Sequence, residues 1–252
     1  AMKALKLAIC AATASLALGG AAYAQDVSFN VGVGSDYVWR GVSQTDESPQ
    51  IFGGVDYGNG IFYAGAWASN VDFYDSTDAE IDLYAGIKPT AGPVTFDLGA
   101  IYYGYLNEPG GADYAFWEFK GAASVPAGPA TLGAAVYYSP EFFGGIGSAV
   151  YYEVNGSVSP AEKWTLGAAI GTQTFDAGGD YSTWNVGVGY AFNDTISADL
   201  RYHDNDLACG AICDSRVAVI ASARPIRPSP VSAMRLTTRI SIRLSSPSMK
   251  KS

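Results

Sequence analysis

From residue 26 onward, aromatic and β-branched residues alternate with small or polar ones, and each run ends in a cluster of turn formers. A period of two marks a strand with two unlike faces. Tyr37 and Trp39 fall on one face of the first run, Asp36 and Arg40 on the other. In the next run Ile51, Val55 and Tyr57 oppose Phe52, Gly54 and Asp56, and Gly58-Asn59-Gly60 then supplies a tight turn. The pattern predicts strands over 27–40, 50–57, 61–71, 79–89, 94–105, 114–125, 130–140, 149–159, 164–175, 181–192, 195–204 and 215–223. The connections alternate. Short ones (Gly58–Gly60, Thr90–Pro93, Pro126–Pro129, Pro160–Lys163, Asn193-Asp194) are followed by longer polar ones (41–49, 72–78, 106–113, 141–148, 176–180, 205–214).

An even strand number with long and short connections in alternation predicts an all-β fold. The expectation is a single antiparallel transmembrane β-barrel of about twelve strands, short turns at the periplasmic end and long loops outside. The faces fit. Trp184, Val186, Val188, Tyr190 and Phe192 oppose Asn185, Gly187, Gly189 and Ala191. The apolar face recurs on nearly every strand, with aromatics such as Tyr37, Trp39, Tyr57, Trp164 and Phe192 near strand ends, as in the girdles of a lipid-facing band. The alternative is a secreted β-sandwich with one buried face per strand, which leaves the flanking aromatics unexplained.

With the apolar face outside, the predicted pore-lining residues are Asp36, Arg40, Asp56, Glu80, Asp82, Lys88, Asp97, Glu118, Lys120, Glu153, Asp199, Arg201 and His203. Acids outnumber bases among them, which favours cations in a water-filled lumen. The competing expectation is a lattice of salt bridges that plugs a narrow barrel, since twelve strands fall between the filled eight-stranded and the open sixteen-stranded barrels.

The run YVWRGVSQT, followed by GGVDYGNGIFYAGAWASNVDF within residues 35–73, resembles the N-terminal signature of the TorF porin family of proteobacteria. The resemblance implies an outer-membrane β-barrel. It implies no particular substrate and carries over no functional residue.

Charge and the chain ends refine the picture. All 24 acids lie between residues 25 and 223 with only six bases, a net charge of −18, which argues against nucleic-acid binding. Residues 1–24 read as a cleaved signal peptide: Lys3 and Lys6, an apolar stretch from Leu7 to Leu18, then Ala22-Tyr23-Ala24. That stretch is too short to span a bilayer. The barrel is expected over 25–223. Residues 224–252 carry seven bases and no Gly, aromatic or acid. They read either as a frameshift or read-through product or as a basic disordered tail. Cys209 and Cys213, in the last long loop, read as a disulfide in an oxidising compartment, with a redox pair as the alternative.

The single histidine is the only handle the sequence offers for an enzymatic role. Asp199, four residues from His203 on the same face, would have to orient it, and no Ser sits in a nucleophile-elbow context. His203, Asp204 and Asp206 make a weak metal set. The sequence therefore predicts no catalysis, no cofactor and no metal. The predicted role is passive diffusion of small hydrophilic solutes or ions across the outer membrane of a Gram-negative bacterium. Lipid and the barrel-assembly machinery are the expected partners. A non-conducting barrel acting through its outer loops is the alternative, and the oligomeric state is not legible.

Overall fold

The computed structural model describes residues 26–207 and 216–223. The predicted leader, Cys209 and Cys213, and residues 224–252 lie outside these described residues. The strands in chain order are β1 (Asp26–Gly34), β2 (Val38–Trp39), β3 (Val42–Ser43), β4 (Gln50–Asn59), β5 (Phe62–Asn70), β6 (Ala79–Ile87), β7 (Thr90–Ala91) and β8 (Val94–Leu106). They continue with β9 (Phe116–Ala127), β10 (Ala130–Ser139), β11 (Ala149–Ala161), β12 (Trp164–Phe175), β13 (Tyr181–Ala191), β14 (Ile196–Asn205) and β15 (Arg216–Ala223).

Twelve of these form one antiparallel sheet in the order β6-β5-β4-β1-β15-β14-β13-β12-β11-β10-β9-β8, and pairing of β6 with β8 closes it into a barrel. Closure leaves no unpaired edge among the long strands. The fold is thus the all-β, twelve-stranded antiparallel barrel that the alternation predicts. Strand parity fixes which side chains face in, because a one-residue slip would move every residue to the other face. Outward positions are large and apolar: Val27, Phe29, Val31, Phe62, Leu83, Val154, Ile170 and Phe192 are each more than half exposed. Inward positions carry the buried polar and charged groups, among them Glu80, Asp82, Glu118, Gln173 and Arg201.

One predicted strand is corrected. The run 27–40 ends as a barrel strand at Gly34, and residues 35–49 leave the wall. They form a hairpin of β2 and β3 with Val38 opposite Ser43 and Trp39 opposite Val42. Its tip is Arg40-Gly41, with φ of 48° and 83°. Two consecutive positive φ values are the signature of the type I′ turn, whose twist matches a tight hairpin. Asp36 ties the base, accepting hydrogen bonds from the Ser43 hydroxyl at 2.5 Å and the Thr45 hydroxyl at 2.9 Å, while the Tyr37 N–H donates to Thr45 Oγ1 at 3.0 Å. The alternation of Tyr37 and Trp39 with Asp36 and Arg40 therefore belongs to this hairpin. Tyr37 is 2 % exposed and Trp39 packs internally, so neither is a girdle aromatic. Tyr57, Trp164 and Phe192 do lie on the outer surface.

Candidate functional site: the lumen and its inserted hairpin

The hairpin folds into the barrel and touches the wall around most of its circumference. The Tyr37 hydroxyl donates to Glu80 on β6 at 2.5 Å, and its ring packs edge-on against Trp67 on β5, 5.4 Å between centroids. Trp39 stacks on Phe142 from the loop after β10 at 6.1 Å and meets Tyr103 of β8 and Phe116 of β9. On the far side, the Asn205 side chain on β14 donates to the Gly41 carbonyl at 2.7 Å.

Arg40 occupies the centre of this arrangement. Its guanidinium donates to both oxygens of Glu118 on β9 at 2.8 Å and to Gln173 on β12 at 2.9 Å. It also lies 4.1 Å from the Trp39 ring centroid, 4.2 Å from that of Tyr151 and 4.9 Å from that of Tyr137. The planar fork of arginine fits a carboxylate bidentately and stacks on aromatic faces at the same time, which a lysine ammonium does not. A non-glycine residue in the left-handed region costs about 1–2 kcal/mol. Here the paired and stacked side chain offsets that cost.

Toward the short turns the interior changes character. Asp97 on β8 sits between two cations, 2.7 Å from the Lys120 ammonium on β9 and 3.7 Å from that of Lys88 beyond β6. It also accepts the Tyr63 hydroxyl at 2.7 Å. Asp56 on β4 accepts the Tyr84 hydroxyl at 2.5 Å. Across the lumen, Arg201 on β14 binds Asn185 at 2.6 Å, the Gly167 carbonyl at 3.2 Å and Asp199 at 3.3 Å. Large side chains lie down along the wall here because their neighbours lack a Cβ. A Cβ on Gly187 would stand 2.7 Å from Arg201 Nε, and one on Gly171 would run into the Tyr151 hydroxyl. Glycine at these two positions lets Arg201 and Tyr151 stay flat rather than project into the lumen.

All thirteen acids, bases and histidine singled out from the sequence are buried or half-buried on the inside. Eleven stand on the wall or at its end, whereas Asp36 and Arg40 belong to the hairpin rather than to a wall strand. Glu80 and Glu118 hold the hairpin through Tyr37 and Arg40. Lys88, Asp97 and Lys120 form a cluster near the short turns, and Asp199 pairs with Arg201. The proposed pairing of Asp199 with His203 is corrected. Asp199 is bound to Arg201, and residues four apart on a strand stand about 13 Å apart at 3.3 Å per residue. His203 instead lies opposite Asn185 of β13. Among the described residues no group of three His, Cys, Asp or Glu side chains is arranged to hold a metal ion.

Sequence reasoning missed the inward tyrosines, having placed the aromatics outside. Tyr63, Tyr84, Tyr103, Tyr137 and Tyr151 all face the interior and hydrogen-bond acids or stack on Arg40. The available signal was parity. Tyr103 is in phase with Asp97, and Tyr84 with Glu80 and Asp82.

Residues 19–223 match the model of a family described as "Bacterial protein of unknown function (Gcw_chp)". The chain belongs to this family. No curated protein matches it. Among solved structures, the chain is similar to the KdgM porin, with a TM-score of 0.55 at 7 % identity over 80 % of this chain and 99 % of that one. It is similar to the NanC porin, with a TM-score of 0.52 at 7 % identity over 80 % of this chain and all of that one. An outer membrane channel from Pseudomonas putida F1 gives a TM-score of 0.52 at 7 % identity over 79 % and 95 %. At such identity the likeness is one of fold: this family member shares the closed barrel of these channels.

Proposed function

We propose that this protein is a porin-like channel of the outer membrane, narrowed by its own first loop, through which small hydrophilic solutes or ions diffuse without chemistry. The observation that carries the reading is the inversion of the two surfaces. Large apolar side chains cover the outside of the closed barrel, and charged groups and tyrosines line the inside. An exposed apolar band of this extent is stable against lipid and not against water. The barrels of the KdgM and NanC porins have the same architecture, which supports a transport role and a setting in the outer membrane. The TorF porin resemblance at residues 35–73 points the same way.

The lumen is also acidic. Asp36, Asp56, Glu80, Asp82, Asp97, Glu118, Glu153 and Asp199 face Arg40, Lys88, Lys120 and Arg201. Two bases share Asp97, so the excess of acid concentrates around the hairpin. Conduction through such a constriction favours cations. The solutes are therefore small, polar and neutral or cationic.

A second reading is favoured by one specific observation. The hairpin reaches Glu80, Glu118, Gln173 and Asn205 on separate strands at once. A barrel blocked in this way would not conduct and would act through its outer loops. Single-channel recording of the refolded full chain in a planar bilayer separates the two. Discrete steps with a cation-selective reversal potential support the channel, and a folded, heat-modifiable barrel that is silent as the native chain and conducts only with the hairpin shortened supports the second reading.

A further inference from the structure

Arg40 stands where its own turn does not favour it. The central pair of a type I′ turn is most readily Asn or Gly, yet the first of the pair here is Arg40, with φ of 48°. Its side chain ends in a site that the wall supplies. Glu118 of β9 takes the guanidinium fork with both oxygens at 2.8 Å, and Gln173 of β12 accepts at 2.9 Å. The ring centroids of Tyr137 on β10 and Tyr151 on β11 lie 4.9 Å and 4.2 Å from the guanidinium carbon. These four side chains come from four adjacent strands. Trp39, at 4.1 Å, is the wall of the cage that the hairpin itself brings.

The barrel's half of the cage is held by contacts of its own. Glu118 accepts the Tyr103 hydroxyl at 3.0 Å, the Gln173 amide donates to the Thr174 carbonyl at 3.4 Å, and the Tyr151 hydroxyl donates to Glu153 at 3.3 Å. Glu118 and Gln173 are each 1 % exposed. A bidentate carboxylate, an amide oxygen and flanking ring faces suit a planar, delocalised cation and suit a compact ammonium poorly. Arg40 is thus a ligand carried on a tether. The outer mouth favours solutes of the same charge. The connections 41–49, 72–78, 106–113, 141–148, 176–180 and 205–214 hold twelve acids and no Lys or Arg. Charge of one sign around a cleft raises the local concentration of its counter-ions.

We propose that this cage is a binding site for solutes that bear a guanidinium group, and that Arg40 is its tethered occupant, which such a solute displaces. The proposal rests on the channel reading above and narrows its solutes to one class. Displacing Arg40 removes the central anchor of the hairpin, so the solute widens the passage. A tethered group competes at an effective concentration on the order of millimolar. The native chain therefore responds to solutes supplied in that range or above, and a chain lacking the Arg40 side chain responds to less.

The test compares agmatine with putrescine, which has the same charge but an ammonium in place of the guanidinium. The first readout is the heat-modification midpoint of folded Arg40→Ala barrels. Agmatine is expected to restore much of the midpoint that the substitution loses, putrescine little, and the rescue should vanish when Glu118→Gln is added. Equal rescue by both compounds, rescue that survives Glu118→Gln, or no rescue at all overturns the site. The second readout is the single-channel conductance of the native full chain, which decides the matter even where Arg40→Ala does not fold. Agmatine is expected to raise it and putrescine to leave it unchanged. A native conductance indifferent to agmatine makes the cage an anchor alone and overturns the proposal. Silence of native and Arg40→Ala barrels alike, with the selective rescue intact, brings down the channel reading and supports the binding site.

Discussion

The guanidinium of Arg40 and the carboxylate of Glu118 lie fork to fork, joined by two hydrogen bonds of 2.8 Å across 78 residues of chain. Their side chains are 6 % and 1 % exposed, so the pair is removed from solvent. Removing one partner from such a pair leaves a buried charge without compensation and costs about 3–5 kcal/mol, whereas replacing both with apolar residues is close to neutral or stabilising. Arg40→Ala and Glu118→Leu should each lower the unfolding temperature sharply and raise conductance by loosening the hairpin. Arg40→Met combined with Glu118→Leu should recover much of the stability. Heat-modifiability on gels, read against single-channel records, checks this. Equal losses in the single and double variants would refute the pairing as the main anchor.

Asp97 holds Lys88 and Lys120 together. Asp97→Asn removes the shared anion and leaves two cations facing the lumen. Its reversal potential in a salt gradient should move further toward anions than that of Asp56→Asn, whose partner is the neutral hydroxyl of Tyr84. Glu153→Gln should fall with Asp56→Asn, since Glu153 accepts from Tyr151 and Asn155. An identical shift for all three would mean that these side chains do not govern ion choice.

Gly187 lies under Arg201. Gly187→Ala places a methyl group 2.7 Å from Nε, so the Arg201 side chain must rise from the wall and give up its 2.6 Å bond to Asn185. The expected outcome is a folded barrel with lower conductance per channel. Gly53 faces outward, and its nearest neighbour to an added Cβ is the Asn30 carbonyl at 3.3 Å. Gly53→Ala is expected to leave conductance unchanged.

Ile170, near the middle of β12, is 61 % exposed on the outer surface. In a lipid-facing band Ile170→Arg should destabilise by about 2–4 kcal/mol at mid-depth, whereas Val27→Arg, next to the strand end, should cost about 0–1 kcal/mol. Equilibrium unfolding in lipid vesicles measures both. Equal and small effects would argue that this surface does not meet hydrocarbon.

Much of the wall was legible in the sequence. Period-two alternation marks the long strands other than β1 to within a few residues, because outward and inward residues alternate without interruption around the closed barrel. Residues 35–43 show where the signal fails. A hairpin buried inside the barrel alternates just as a wall strand does, so Tyr37 and Trp39 looked like girdle aromatics. What distinguishes it is the turn chemistry of Arg40-Gly41 and the long-range contacts of Arg40, and only the second is decisive. Which face of each wall strand carries its charged residues was legible from parity. Their partners were not. That Glu118 meets Arg40 and that Lys88 and Lys120 share Asp97 depends on strand pairing and on the inserted loop, which parity does not encode.

The central claim is that the barrel is a conduit whose bore is set by the hairpin of residues 35–49. Single-channel conductance of the refolded full chain, measured beside a variant in which residues 36–47 are replaced by a short turn, tests it most directly. The account predicts small, cation-selective steps for the native chain and markedly larger steps for the shortened one. Equal conductance in the two, or silence in both from correctly folded barrels, would contradict it.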